Sequence, residues 1–184
     1  MRLESFLLGC LLALAAPLAS AADYIQAPGS TLTFAGSYQG ETFVGRFPDF
    51  ATRLSFDPAR LRDARLEVII PLATATTGID DYDGELRGRA FFNSAKFARA
   101  RYTASKFRSL GGDRYAADGT LSLRGLKRPV TLEFTWTPGA KPVLAGEATV
   151  QRLDFGVGGG EWADTEVLPN AIAVATRVVL QPAE

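Results

Sequence analysis

The stretch PVTLEFTW, residues 129–136, alternates Val130, Leu132, Phe134 and Trp136 with Thr131, Glu133 and Thr135. Successive side chains of a β-strand leave the backbone on opposite sides, so this segment has one apolar and one polar face. A helix has no use for the pattern, because its apolar stripe recurs every three or four residues. The same rhythm therefore decides how the rest of the chain is read.

It recurs on both sides. STLTFAGSYQ (30–39) sets Leu32, Phe34, Gly36 and Tyr38 against Thr31, Thr33, Ala35 and Ser37. ARLEVIIPL (64–72) sets Leu66, Val68, Ile70 and Leu72 against Arg65, Glu67, Ile69 and Pro71. AIAVATRVVL (171–180) puts Ile172, Val174, Val178 and Leu180 opposite Arg177, and weaker versions cover 41–47, 52–57, 101–109, 114–123 and 143–152. GGD (111–113) and TPGAKP (137–142) read as hairpin links. No βα rhythm appears, so the sheet is expected to be antiparallel. Eight or nine strands of this kind build a sandwich or a closed barrel, and an eight-stranded barrel encloses side chains or one small ligand. One helical segment is expected, around 80–97.

Several chemistries are excluded by composition. The chain has no histidine, which removes Ser-His-Asp and Cys-His catalysis and histidine metal sites. The acids of GIDDYDGEL (78–86) miss the phase of a helix-loop-helix calcium site and read as a solvated helix start. GVGGG (156–160) is followed by Glu161, fits no phosphate-binding fingerprint and reads as a flexible loop. A net charge of zero gives no basic footprint for nucleic acid, despite the mixed rings and cations of FFNSAKFARARYTASKF (91–107).

The first 21 residues carry Arg2, an apolar run from Phe6 to Leu18 and the small-x-small site Ala19-Ser20-Ala21. That is the layout of a cleaved secretory signal, with a mature start at Ala22 or Asp23. A lipoprotein site at Cys10 is disfavoured because the apolar run continues beyond it. Residues 22–184 then form a single domain without a cysteine, and a bacterial periplasm is the expected compartment.

Four stretches in order resemble the YceI-like family. ELRGRAFFNSAKFARARYTASKF (85–107) holds Leu86, Phe91, Phe92, Phe97 and Tyr102 at the family's apolar positions. GTLSLRGLKRPVTLEF (119–134) matches through Gly119, Leu121, Leu123, Arg124, Gly125, Pro129 and Val130. QRLDFGVG (151–158) and VGRFPDFATRLSFDP (44–58) complete the set, through Arg152, Asp154, Phe155 and Gly156 in the former. The chain departs from the family's pattern at Glu85, Asn93 and Ala98, where histidine, aspartate and proline are usual.

The resemblance implies a lipocalin-like, all-β, up-and-down barrel that binds a polyisoprenoid or another long-chain lipid. It implies a ligand site on Phe34, Phe47, Phe56, Phe91, Phe92, Phe97, Tyr102, Leu121, Leu123, Phe134, Val150 and Phe155. Lys96, Arg99 and Arg101 are expected to face water. Gly36, Gly45, Gly146 and Ala148 are small inward positions that would leave room for a ligand. The function implied is a periplasmic carrier or sequestering protein for an isoprenoid, such as an isoprenoid quinone, without catalytic residues, metal or cofactor. Transient membrane contact and a homodimer are compatible with it. An enzyme acting on a lipid, and a structural module with a filled core, stay open as alternatives.

Overall fold

The computed structural model describes residues 22–183. The expected signal segment lies outside the described residues. Ten strands follow one another: β1 (Ala22–Gln26), β2 (Thr31–Tyr38), β3 (Glu41–Arg46), β4 (Ala51–Phe56), β5 (Arg65–Pro71), β6 (Arg99–Gly111), β7 (Arg114–Leu123), β8 (Leu126–Thr137), β9 (Val143–Gln151) and β10 (Ala171–Pro182). One helix, α1 (Asp80–Arg87), lies between β5 and β6.

All pairings are antiparallel, and eight strands close a barrel in the order β1-β4-β5-β6-β7-β8-β9-β10, with β10 pairing back to β1. The other two strands extend the wall at one end. β10 pairs with β1 over Leu180–Pro182 and with β2 over Ala173–Arg177, while β3 pairs with β2. Thus β1 and β2 share one stave. Every segment read as a strand from its alternation is one. β1 was not read, because five residues carrying Tyr24 and Gln26 on their inner face give no apolar alternation.

Two hairpins show the turn chemistry plainly. Gln39-Gly40 joins β2 to β3 and Arg124-Gly125 joins β7 to β8, with φ of 51° and 84°, and 51° and 77°. Positive φ at both central residues makes a two-residue turn whose twist matches the strands.

The helix is shorter than the expected 80–97. It stops at Arg87, and residues 88–98 are turns closed by bonds such as Asn93 N–H to Gly88 O (2.8 Å) and Phe92 N–H to Leu86 O (2.9 Å). Asn93 takes φ of 48°, a left-handed conformation that asparagine tolerates and a helix does not. Asp83 corrects the reading of a wholly solvated acidic cluster. It is 6% exposed, and receives hydrogen bonds from Thr76 Oγ1 (2.5 Å), Thr77 N–H (2.5 Å) and Thr77 Oγ1 (2.8 Å). Burial pushes its pKa up, but those bonds and the charge of Arg87 outweigh it and hold the carboxyl below its usual value. Asp83 thereby ties the chain after β5 to α1.

The interior is filled unevenly. At one end Phe56 sits among four rings, its centroid 5.9 Å from Phe107, 5.1 Å from Tyr115, 5.6 Å from Phe134 and 5.0 Å from Trp136. At the other end Phe34, Phe47 and Phe92 pack together, with Phe34–Phe47 and Phe47–Phe92 centroids 5.1 and 5.7 Å apart. Aliphatic residues line the space between.

Candidate ligand cavity

That space is a cavity of about 190 Å³ inside the barrel. β5 contributes Leu66, Val68 and Ile70, followed by Leu72, and β10 contributes Ile172, Val174, Thr176 and Val178. Their alternate positions run six residues along each strand, roughly 20 Å at the usual rise. Leu121, Leu123, Val130 and Leu132 come from β7 and β8, and Ala148 and Val150 from β9. Leu86 of α1 and the rings of Phe34, Phe43, Phe47, Phe91 and Phe92 enclose the end next to α1.

Of the candidate ligand residues, the structure places Phe34, Phe47, Phe91, Phe92, Tyr102, Leu121, Leu123 and Val150 on this wall. Four lie elsewhere. Phe56 and Phe134 belong to the packed rings at the closed end, where each is no more than 3% exposed. Phe155 is 2% exposed inside the 3-10 turn Arg152–Phe155. Phe97 is half-buried, packed against the core beside Gly125 but away from the cavity, with Lys96 Nζ 5.2 Å from its ring centroid. Lys96, Arg99 and Arg101 are exposed.

The inward glycines do not leave room for a ligand. A Cβ on Gly45 would collide with the Phe34 ring, one on Gly36 would stand 2.8 Å from Phe43, and one on Gly146 2.7 Å from Glu133 O and 2.8 Å from Phe134 Cβ. Each accepts a neighbouring side chain of the protein itself. Ala148 does line the cavity.

Two arginines fix the loops around the cavity end. Arg152 is 3% exposed, and all its donors meet backbone carbonyls. Nε bonds Pro169 O (3.0 Å), Nη1 bonds Val157 O (3.0 Å) and Gly158 O (2.5 Å), and Nη2 bonds Trp162 O (2.8 Å) and Leu168 O (2.6 Å). Burial pushes its pKa down, yet guanidinium remains protonated in proteins. Arg124, in the β7–β8 turn, gives Nη1 to Ala90 O (3.0 Å) and also to Phe91 O and Gly156 O. The segment 156–160 is thus not the flexible loop expected. Val157 and Gly158 are buried, and Gly158 N–H bonds Ala90 O at 2.7 Å. The phase of the strand offered the clue, since Ala148, Val150 and Arg152 share one parity.

Three residues of the cavity wall carry hydroxyls, and none of these oxygens contributes appreciably to its surface. Tyr102 Oη lies 2.8 Å from Ala117 O and 3.0 Å from Val130 O, and burial raises its pKa, so it stays a neutral donor. Thr176 Oγ1 donates to Thr31 O at 3.0 Å. Thr52 Oγ1 is buried without a partner among the described residues. Also among the described residues, no group of three or more acidic or cysteine side chains is placed to hold a metal ion, and no helix is long and apolar enough to cross a membrane.

A second concavity lies outside the barrel, across the outward faces of β4, β5 and β6. Some of its polar groups pair with one another, as in Arg101 Nη2–Glu67 Oε1 at 2.5 Å and Ser55 with Asp23, while Arg53 and Lys106 extend into solvent. It is a solvated wall.

Comparison with known proteins agrees with this architecture. The YceI-like domain matches residues 24–181. A UPF0312 protein of Shewanella denitrificans is 34% identical over 149 residues, covering 75% of this chain and 78% of its own. One from Shewanella baltica is 30% identical over 168 residues, covering 85% and 87%. Among solved structures, BcnA of Burkholderia cenocepacia superposes with a TM-score of 0.78 at 25% identity, over 82% of this chain and 95% of that one. A polyisoprenoid binding domain from Saccharophagus degradans, implicated in plant cell wall breakdown, gives 0.68 at 16% identity, over 89% and 99%, and speaks to the fold alone. With the domain match spanning nearly all the described strands, the chain belongs to the YceI-like family.

Proposed function

We propose that the protein holds the apolar chain of a polyisoprenoid, such as an isoprenoid quinone, or of another long-chain amphiphile, and carries or sequesters it in the periplasm. The observation behind this reading is the cavity inside the barrel, lined almost wholly by aliphatic and aromatic side chains, with two threonines and a single charged side chain, Arg152, whose donors are all bonded. About 190 Å³ is less than the roughly 300–1,000 Å³ of pockets for drug-sized ligands. One slender chain suits it better than a bulky ring system. The Saccharophagus degradans barrel, of the same fold, is a polyisoprenoid binding domain, and an isoprenoid is consistent with the shape of this cavity.

The energetics suit carriage rather than catalysis. Each buried methylene is worth about 0.8 kcal/mol, so a five-carbon isoprene unit is worth roughly 3–4 kcal/mol in either a bilayer or this cavity. Transfer between them is near neutral, and the protein can load and unload. Loading would involve brief membrane contact at the end next to α1, where Val44, Ile79 and Tyr82 are exposed at 58%, 52% and 49%. Any homodimer would form most simply at β3, whose outer edge among the described residues carries the Arg46–Thr76 bridge alone.

Native mass spectrometry of the protein released gently from its own cells tests the reading. The expected result is one long-chain lipid per chain. Protein that carries none, and takes none up from lipid vesicles, overturns it.

A further inference from the structure

The cavity is closed at its two ends by different means. Its floor is built from staves of the barrel. On β8, Leu132 borders the cavity and the next inward residue, Phe134, does not. On β10 the same change falls between Val178 and the fully buried Leu180. Below that level the barrel is filled by the rings of β4, β6, β7 and β8, whose centroids lie 5.0 to 5.9 Å from that of Phe56. Rings at such separations are in contact, so no chain passes between them. Each sits on a paired strand, and the floor cannot yield without breaking the sheet.

The cover is different. Leu86, Phe91 and Phe92 reach the cavity from α1 and the turns after it, which belong to no stave. Asp83 ties α1 to Thr76 and Thr77, just ahead of it in sequence. This end can give way while every strand keeps its neighbours. A chain therefore enters here and travels inward as far as the rings.

The depth between cover and floor fixes how much chain fits. The inward rows Leu66–Leu72 and Ile172–Val178 span roughly 20 Å along their strands at the usual rise. Strands tilt by about 35–45° in such a barrel, which leaves roughly 15 Å along its axis. An isoprene unit adds four carbon–carbon bonds of about 1.5 Å each, and so roughly 5 Å of zig-zag length. Resting on the binding role proposed above, we infer that the barrel takes in about three to four isoprene units, tail first, and that the rings around Phe56 and Phe134 set this limit. Any further units, and the head group, stay at the α1 end. An ionised head does not follow the tail, because Arg152 on the wall has its donors on carbonyls and an unpaired buried charge is costly.

The test titrates the wild-type protein with geranyl, farnesyl, geranylgeranyl and hexaprenyl monophosphates, below their micelle-forming concentrations, as displacers of diphenylhexatriene. All four carry the same head, so affinity ratios report the added chain. The expected result is a gain of at least about tenfold from geranyl to farnesyl, as buried methylenes provide. From geranylgeranyl to hexaprenyl the gain should be less than about threefold, because the added units stay outside. A larger gain at that step, or none at the first, overturns the length limit and leaves the binding role standing. Leu132→Phe raises the floor into open space and should end the gain at least one unit earlier. Phe134→Ala lowers the floor and, in the fraction that folds, should extend the gain to longer chains. An end point unmoved by Leu132→Phe overturns the rings as its cause. Failure of the wild type to bind any of the four overturns the binding role and the inference together.

Discussion

The phenol of Tyr102 lies over the backbone of Gly119: a Cβ at 119 would stand 2.5 Å from Oη. From that hollow the hydroxyl reaches Ala117 O and Val130 O on two neighbouring strands. Glycine is needed here for space, since its φ is not in the left-handed region. Gly119→Ala should expel the ring towards the cavity, cost about 1–3 kcal/mol as overpacking does, and reduce ligand uptake. Urea denaturation and lipid stoichiometry measure both effects. Full stability in Gly119→Ala would show that the ring repacks freely.

The unequal filling of the barrel separates two kinds of variant. Ala148→Leu adds bulk on the cavity wall, and should lose lipid occupancy while the fold persists. Phe134→Ala removes a ring from the packed end, and should cost about 3–5 kcal/mol through the void it leaves. Its surviving folded fraction should still take up lipid. Thermal melts and extracted lipid per protein distinguish the two.

Arg152 organises the loops next to α1. Arg152→Met would leave five carbonyls without their donors, and the loss should exceed about 3 kcal/mol. Arg152→Lys has three donors instead of five and should recover only part of it. Hydrogen exchange should rise first at Val157, Gly158 and Leu168. Uniform loosening of the whole barrel would show that the cage does not act locally.

Asp118 gives a defined acid titration. The Arg108 guanidinium hydrogen-bonds it at 2.7 Å and Thr131 Oγ1 at 2.9 Å, holding its pKa down to about 2. A carboxyl whose pKa is lowered on folding stabilises the protein above its unfolded value, about 3.9, and that contribution disappears as pH falls through the folded value. The affected window is therefore about pH 4 to 2. Carbonyl-detected NMR should place the midpoint near 2, and Arg108→Gln should raise it. An Asp118 midpoint unmoved by that change would remove Arg108 as the cause.

Affinity for an uncharged chain should be flat between about pH 6 and 8. The chain has no histidine, Tyr102 is pushed upward by burial, and Asp83 is held below its ordinary value. A tenfold change across that range, measured with a fluorescent isoprenoid, would overturn this expectation.

Period-two alternation was enough to find nine of the strands, because each has one wet and one buried face. It carried less information about what the buried faces meet. Phe134 and Leu132 share a face, yet only Leu132 borders the cavity, a difference set by position along the barrel axis. The β6 pattern looked weak because the pairing with β7 shifts register between Ala104 and Lys106, which moves Phe107 into the inward phase. Asp83 escaped notice because its partners, Thr76 and Thr77, approach only when the chain bends back. Thr52 and Arg152 were legible in principle. Both stand at inward phase among apolar residues, where a polar side chain asks for a partner.

The pairing of β1 with β10 sets Ile25 beside Gln181, and Ala183 N–H reaches Asp23 O at 2.9 Å. The first and last strands are therefore neighbours. A ribosome delivers them at opposite ends of synthesis, so the ring cannot close before the final strand is available, and a chain cut short of residue 171 would present an open, half-apolar gutter. The same adjacency permits circular permutation: a short peptide across the old ends, with new ends cut at Gly112, would keep every strand beside its present neighbours.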